Sequence, residues 1–325
     1  MTGTGRQARP SIVVDCDPGI DDALALLFLA RLHHRGLAKL QAVVTVAGNA
    51  AVATTTRNAR FILDRAGLPG VPVIGGAAAP LTPPPAPIDA LAFHGPDALG
   101  GSYLPSGPET DPGLAGDGPR AIVDHLRDAA GRGDAVLLAV GPLTNVALAL
   151  DLDPGLHHLT RRVVVMGGAF GNPGGNVTPT AEFNWYCDPD AADRVLCSKL
   201  PLEIVPLDVT EQVTIGPASL GGLAADPAAA LAGQLLCSSI DLHRAAGYAN
   251  SCHVHDALAA AAVVEPDLLQ SQRFRVRVGT SGPDRGRAVF EPSNLGPGGD
   301  SGRPDVALGV DADRARTLML SVLGG

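Results

Sequence analysis

Nothing in the chain reaches the roughly 18 uninterrupted apolar residues that a membrane-spanning helix requires, and the opening MTGTGRQARP carries no apolar core of the kind a secretory leader needs. A cytoplasmic protein with no membrane partner is expected. Basic charge is also short: 24 Lys and Arg stand against 33 Asp and Glu, a formal charge of −9, and the cations are scattered rather than clustered. That argues against a phosphate backbone as the principal ligand, so no nucleic acid polymer is expected as a partner. The five cysteines, Cys16, Cys187, Cys197, Cys237 and Cys252, are odd in number and form no CxxC pair. Neither a disulfide framework nor a zinc ribbon fits them, and reduced thiols are the reading. Aromatic residues make up only 3% of the chain, which together with abundant Gly, Ala and Pro reflects compositional bias rather than function.

What is present is alternation. Short β-branched runs at 11–14, 41–46, 71–74, 135–140, 163–166 and 202–206 read as strands, and helical-period segments at 21–34, 55–66, 120–130, 145–150 and 189–198 lie between them. Strands apolar throughout, interleaved with helices, imply a mostly parallel sheet covered on both faces: an open, doubly wound α/β fold. Helices follow at 228–244 and 257–264, then strands at 274–278 and 306–310 and a closing helix at 312–323. Two stretches rich in Pro and Gly, 79–90 and 282–304, read as surface loops. Residues 1–10 read as a flexible segment and 11–325 as a single domain, because no repeat or linker interrupts it.

The segment DCDPGIDDALALL places Asp15, Asp17, Asp21 and Asp22 within eight residues, directly after the apolar run Ile12-Val13-Val14. In an open α/β sheet ligands bind beyond the carboxyl ends of strands, and this is the first strand-to-helix turn. A helix N-terminus favours anions, but an N-cap accounts for one of these aspartates, not four. An EF-hand loop fails, since Ile20 and Leu26 stand where that loop needs Gly and Glu. Hard oxygen donors at close quarters suit a hard cation, calcium better than zinc. A DxD phosphohydrolase with an aspartyl nucleophile is the rival enzymatic reading.

Later turns carry further polar groups: Thr144-Asn145 in VGPLTN, with Asn145 most simply a helix cap; Asn176, Glu182 and Asn184 in GNVTPTAEFN; and His255-Asp256 in HVHDALAA. In order and separation, DCDPGIDDALAL, TVAGNA, FHG, VGPLTN, GNVTPTAEFN and HDALA resemble the nucleoside hydrolases of the inosine–uridine-preferring type, over nearly the whole chain from Ser11 onward. The resemblance implies hydrolysis of the N-glycosidic bond of ribonucleosides at a bound calcium ion (Ca2+). Asp17, Asp22, the Thr144 carbonyl and Asp256 are then the protein ligands, and Asp17 is also the base for a metal-bound water. Asp21, Asn49, Asn176, Glu182 and Asn184 hold the ribose, Asp15 supports the ligands from behind, and His255 assists the leaving base. His94, Met166 and Tyr248 join the substrate-binding set. The resemblance further implies a nucleoside as partner and a homodimer or homotetramer.

These residue types agree with that chemistry. Cleaving an N-glycoside builds positive charge on the ribose ring, which an anionic floor stabilises, and imidazole suits a departing base near neutral pH. A non-catalytic nucleoside- or calcium-binding protein of the same fold is the alternative from another class. The base preferred is left open, as are tolerance of a 5′-phosphate and the parts played by His94, His243, His253 and Tyr248.

Overall fold

The computed structural model describes residues 9–86, 90–101, 116–171, 174–223, 226–291 and 303–325. Most of the segment read as flexible, residues 1–8, lies outside the described residues, as do residues 87–89 and 292–302 of the two proline- and glycine-rich stretches. In chain order the strands are β1 (Ser11–Cys16), β2 (Lys39–Thr45), β3 (Val73–Gly75), β4 (Ala135–Ala139), β5 (Arg162–Met166), β6 (Leu202–Val205), β7 (Thr214–Ile215), β8 (Cys252–His253), β9 (Leu269–Arg273), β10 (Val276–Val278), β11 (Ala288–Phe290) and β12 (Asp305–Val310). The helices are α1 (Ile20–His34), α2 (Val52–Arg65), α3 (Leu91–His94), α4 (Gly118–Ala130), α5 (Thr144–Leu152), α6 (Phe183–Cys187), α7 (Pro189–Leu196), α8 (Leu207–Thr210), α9 (Pro227–Ala245), α10 (His255–Val264) and α11 (Ala312–Leu323).

Eight strands form the main sheet in the order β3-β2-β1-β4-β5-β6-β12-β9, parallel except for the last pair. Every residue of β1 is buried, which explains its unbroken apolar run: a central parallel strand has no wet face. Ile12, Val14 and Cys16 face one core and Val13 the other. Helix α1 is apolar nearly all round because α2, α9, α10 and α11 all pack on it. Its two N-terminal aspartates therefore begin a helix that is itself core.

From β1 the chain moves outward to β2 and β3, then returns to lay β4 on the other side of β1. The connections after β1 and β4 thus diverge, leaving a crevice at their carboxyl ends. The first carries the aspartate cluster and the second carries Thr144.

Every predicted strand and helix is present, with ends shifted by a few residues. The stretch 282–304 is not loop throughout: Ala288–Phe290 pairs antiparallel with Val276–Val278, a run of three residues being too short to announce itself. Strand β9 was not predicted. Its sequence LQSQR exposes four of five residues, so an edge position leaves it without alternation. All five cysteines are free, and no helix among the described residues is long and apolar enough to cross a membrane.

Candidate active site

Beyond the carboxyl ends of β1, β4 and β5 lies a cavity of about 350 Å³. Its floor is acidic. Asp15, Asp17, Asp22 and Asp256 are each at most 5% exposed, and backbone geometry holds several of them. The Asp17 amide donates to Asp22 Oδ1 at 3.0 Å, and the Gly19 amide donates to Asp22 Oδ2 at 3.0 Å. Asp17 Oδ2 accepts the Asn49 amide at 2.7 Å, while Asn49 Nδ2 donates to the Asp17 carbonyl and to Asp22 Oδ2, both at 3.2 Å. Asp21 Oδ2 accepts the Asp256 amide at 3.4 Å, joining the N-termini of α1 and α10.

The glycine of TVAGNA explains how Asp17 fits. A Cβ on Gly48 would lie 2.0 Å from Asp17 Oδ2, so only glycine lets this turn close over the carboxylate.

These carboxylates are under electrostatic pressure. Burial, and then repulsion from Asp22, holds Asp17 well above the ordinary carboxylate range; burial and Asp21 do the same to Asp256. Burial and Asp22 push Asp21 up to about 8, and burial pushes Asp15 to about 7. Among the described residues no salt bridge includes any of the five. Asp15 Oδ2, Asp17 Oδ1 and Asp21 Oδ1 are buried with no hydrogen-bond partner in the chain. Uncompensated buried carboxylates are costly, and this donor set fits a hard divalent cation in kind. It is not a closed cage: among the described residues no three acidic, histidine or cysteine side chains converge into a metal-ligating group.

Thr144 begins α5, and its hydroxyl donates to the buried Asp188 at 2.6 Å. Asn145 is not a helix cap. It sits inside α5, where Nδ2 donates to Asp15 Oδ1 at 2.8 Å and to the Thr45 carbonyl at 3.0 Å, and Oδ1 accepts the Ala77 amide at 2.8 Å. It therefore braces Asp15 of β1 against the end of β2 and the residues just beyond β3. Asp188 and this bracing role of Asn145 escape sequence reasoning, because both act through contacts distant in the chain.

The wall beyond β5 comes from GNVTPTAEFN. Glu182 caps α6, accepting the amides of Asn184 at 2.7 Å, Gly168 at 2.9 Å and Trp185 at 3.1 Å. Trp185 is fully buried beneath this turn and meets Phe170 edge-on. Asn184 Nδ2 donates to the Val140 carbonyl at 2.8 Å and the Met166 carbonyl at 3.3 Å, so its Oδ1 is left for a ligand. Met166, Asn176, Glu182 and Asn184 all line the cavity.

Histidines form the rest. His94 accepts the Ile20 amide on Nδ1 at 3.2 Å, and His255 Nδ1 meets the Thr210 hydroxyl at 2.7 Å. Burial lowers His94 to about 4, with His243 adding to the effect, and lowers His255 to about 3, with the other three imidazoles adding. The His253 ring stacks on His255 with centroids 5.5 Å apart, and His243 lies 5.9 Å from both His253 and the exposed Tyr248. The structure thus gathers the sequence-named residues at one place: Asp15, Asp17, Asp22 and Thr144 behind the wall, the others on it. His243 and His253 join them there.

Known proteins share this arrangement. Residues 12–317 match the inosine-uridine preferring nucleoside hydrolase family. The pyrimidine-specific ribonucleoside hydrolase RihB of Escherichia coli is 33% identical over 310 residues, 94% of each chain. Two solved structures superpose over 97% of this chain at 27% identity: the plant nucleoside hydrolase PpNRh1, covering 99% of that chain with a TM-score of 0.86, and a purine-preferring ribonucleoside hydrolase from Gardnerella vaginalis, covering 98% with a TM-score of 0.85. The DxD phosphohydrolase reading is left without support. With its acidic floor beyond the strand ends and its match over residues 12–317, the chain belongs to the inosine-uridine preferring nucleoside hydrolase family and is a ribonucleoside hydrolase, cleaving base from ribose.

Proposed function

We propose that the protein hydrolyses ribonucleosides in a calcium-dependent reaction in which Asp17 takes the proton of the attacking water and His255 assists the leaving base. The observation that carries this reading is the cluster of buried carboxylates that has no counter-cation among the described residues, beside a cavity that histidines also line. Asp17, Asp22 and Asp256, with the Thr144 carbonyl, would hold the ion. When bound, it supplies the positive charge the floor lacks and acidifies a neighbouring water.

The rest falls to the chain. The buried Asp17 Oδ1, unpartnered, is the acceptor for the water's proton. Asp21 Oδ1 and Asn184 Oδ1 accept ribose hydroxyls, with Asn49, Asn176 and Glu182 around the sugar and Met166 beside it. As the glycosidic bond breaks, positive charge grows on the ribose ring above this anionic floor, which stabilises it more than the ground state. His255 is held neutral, so it helps the base depart by a hydrogen bond from Nε2 rather than as a charged acid.

A ribose-release assay on inosine, adenosine, guanosine, uridine and cytidine, with and without chelation, tests the reading. The expected result is turnover of at least one nucleoside, abolished by chelator and restored by calcium, with about one equivalent of calcium in the purified protein. Full activity after chelation, or zinc in its place, overturns the calcium assignment; no ribose from any nucleoside overturns the whole.

A further inference from the structure

The short hairpin of β10 and β11 stands apart from the main sheet, and no step of the reaction above touches it. Its turn nevertheless lands on the back of the sugar wall. Arg287 pairs its backbone with Ala181 in the GNVTPTAEFN turn. Gly286, at φ +75°, packs so closely on α6 that an added Cβ would lie 2.6 Å from the Tyr186 Cα. Beside it Arg285 is 5% exposed. Its Nε donates to the Tyr186 carbonyl at 3.0 Å, and one terminal nitrogen donates to the Cys187 carbonyl at 3.0 Å and to the Thr82 carbonyl at 2.8 Å. The guanidinium also lies 5.5 Å from the centre of the Tyr186 ring. Burying a cation is costly, and here three carbonyls and an aromatic face offset that cost at one spot.

Tyr186 and Cys187 end α6, which at five residues is too short to hold itself together. The carbonyls at its carboxyl end have no partner within the helix, and Arg285 supplies their donors. At the other end Glu182 accepts the amides of Asn184 and Trp185. A buried charge thus fastens each end of α6, acid at the amino end and base at the carboxyl end, the order that the helix dipole favours. We propose that Arg285 is a positioning residue for ribose binding: it holds α6 from behind, and with it Glu182 and Asn184 at the cavity wall. This rests on the nucleoside hydrolase reading, in which those two residues face the sugar. Without the guanidinium fork the last turn of α6 loses its donors, and Glu182 and Asn184 lose the frame that aims them. The hairpin that carries Arg285 is then the buttress of the sugar wall.

Product inhibition, measured in the presence of calcium, separates the sugar side of the site from the base side. Hydrolysis of inosine is inhibited with D-ribose and with hypoxanthine, or that of uridine with D-ribose and with uracil, whichever nucleoside the wild type cleaves. Arg285→Ala is expected to raise the inhibition constant of D-ribose at least about tenfold, the scale of hydrogen bonds from a charged donor, and to leave that of the base within about twofold. Guanidinium chloride, far below the concentrations that unfold the protein, is expected to restore inhibition by D-ribose where sodium chloride does not. Arg285→Lys keeps the buried charge without the planar fork. It is expected to weaken D-ribose in the same selective way, and it decides the matter should Arg285→Ala fail to fold. Unchanged inhibition by D-ribose in both variants, equal weakening of both products, or no rescue by guanidinium overturns the assignment and leaves the hydrolase reading intact. A wild type that releases ribose from no nucleoside overturns both.

Discussion

The two ends of the cavity are built from different material. The acidic floor stands on strand ends and helix N-termini, is almost wholly buried, and is tied by backbone amides at nearly every turn. The histidine wall stands mostly on α3, the far end of α9 and the segment beyond it, with His255 alone on the N-terminus of α10; Phe93 and Tyr248 on those outer segments are 41% and 59% exposed. Rigid elements hold groups that must be placed to a fraction of an ångström; looser ones hold groups that need only match a base. On the proposed reading, the chemistry of the sugar is set by the fold, and the choice of base by its trimmings.

The largest expected effect tests whether the floor is made for a ribose diol. A 2′-deoxynucleoside leaves the buried Asp21 carboxylate short of a donor, and a site built for a hydroxyl rejects its absence strongly. Deoxyribonucleosides should be cleaved at least about a thousandfold less efficiently than ribonucleosides, although their glycosidic bonds are intrinsically weaker. Equal kcat/KM for inosine and 2′-deoxyinosine would remove the roles given to Asp21 and Asn184.

Next comes Asp17. Asp17→Asn should cut turnover by at least about a hundredfold, the usual scale of general-base loss, with the melting temperature in chelator unchanged or raised. Because the wild-type carboxylate is buried and repelled by Asp22, its replacement relieves the fold. Retained turnover would break the assignment at its centre.

The smallest effect concerns stability against pH. Asp15 and Asp21 titrate at about 7 and about 8 in the folded chain, above their unfolded values, so the folded state binds more protons between pH 4 and 8. Their contribution is fully present below the unfolded pKa and is lost progressively as pH rises from about 4 through 7 to 8. Chelated protein should therefore lose melting temperature across that window, by roughly 5 °C or more, whereas calcium-loaded protein should not. A melting temperature in chelator that rises with pH would show that another group compensates the floor.

The same contrast governs what the sequence discloses. The β1 run, the aspartate cluster and the GNVTPTAEFN turn are local, and each pairs an apolar period with polar residues at its end; their fold and their convergence on one cavity were readable together. Asn145 was misread as a cap, since its partners Asp15, Thr45 and Ala77 lie up to 130 positions away. Strand β9 escaped because an edge strand with one buried residue has no pattern to show. The contact of His243 Nδ1 with the Ser239 carbonyl, 2.8 Å away and one helical turn back, could not be inferred at all, because it depends on the ring's rotamer.

Trp185 is the protein's single tryptophan, and it lies with no exposure under the turn that Glu182 ties to Gly168 and to Trp185 itself. Light absorbed at the red edge of the indole band is therefore absorbed at one address, directly behind the sugar wall. The native emission should be blue, as from an indole shielded from water, and no other fluorophore of its kind dilutes it. Nucleoside binding that shifts the Glu182 turn becomes a change in colour or intensity, so the enzyme carries its own optical gauge and needs no attached dye to follow the filling of its site.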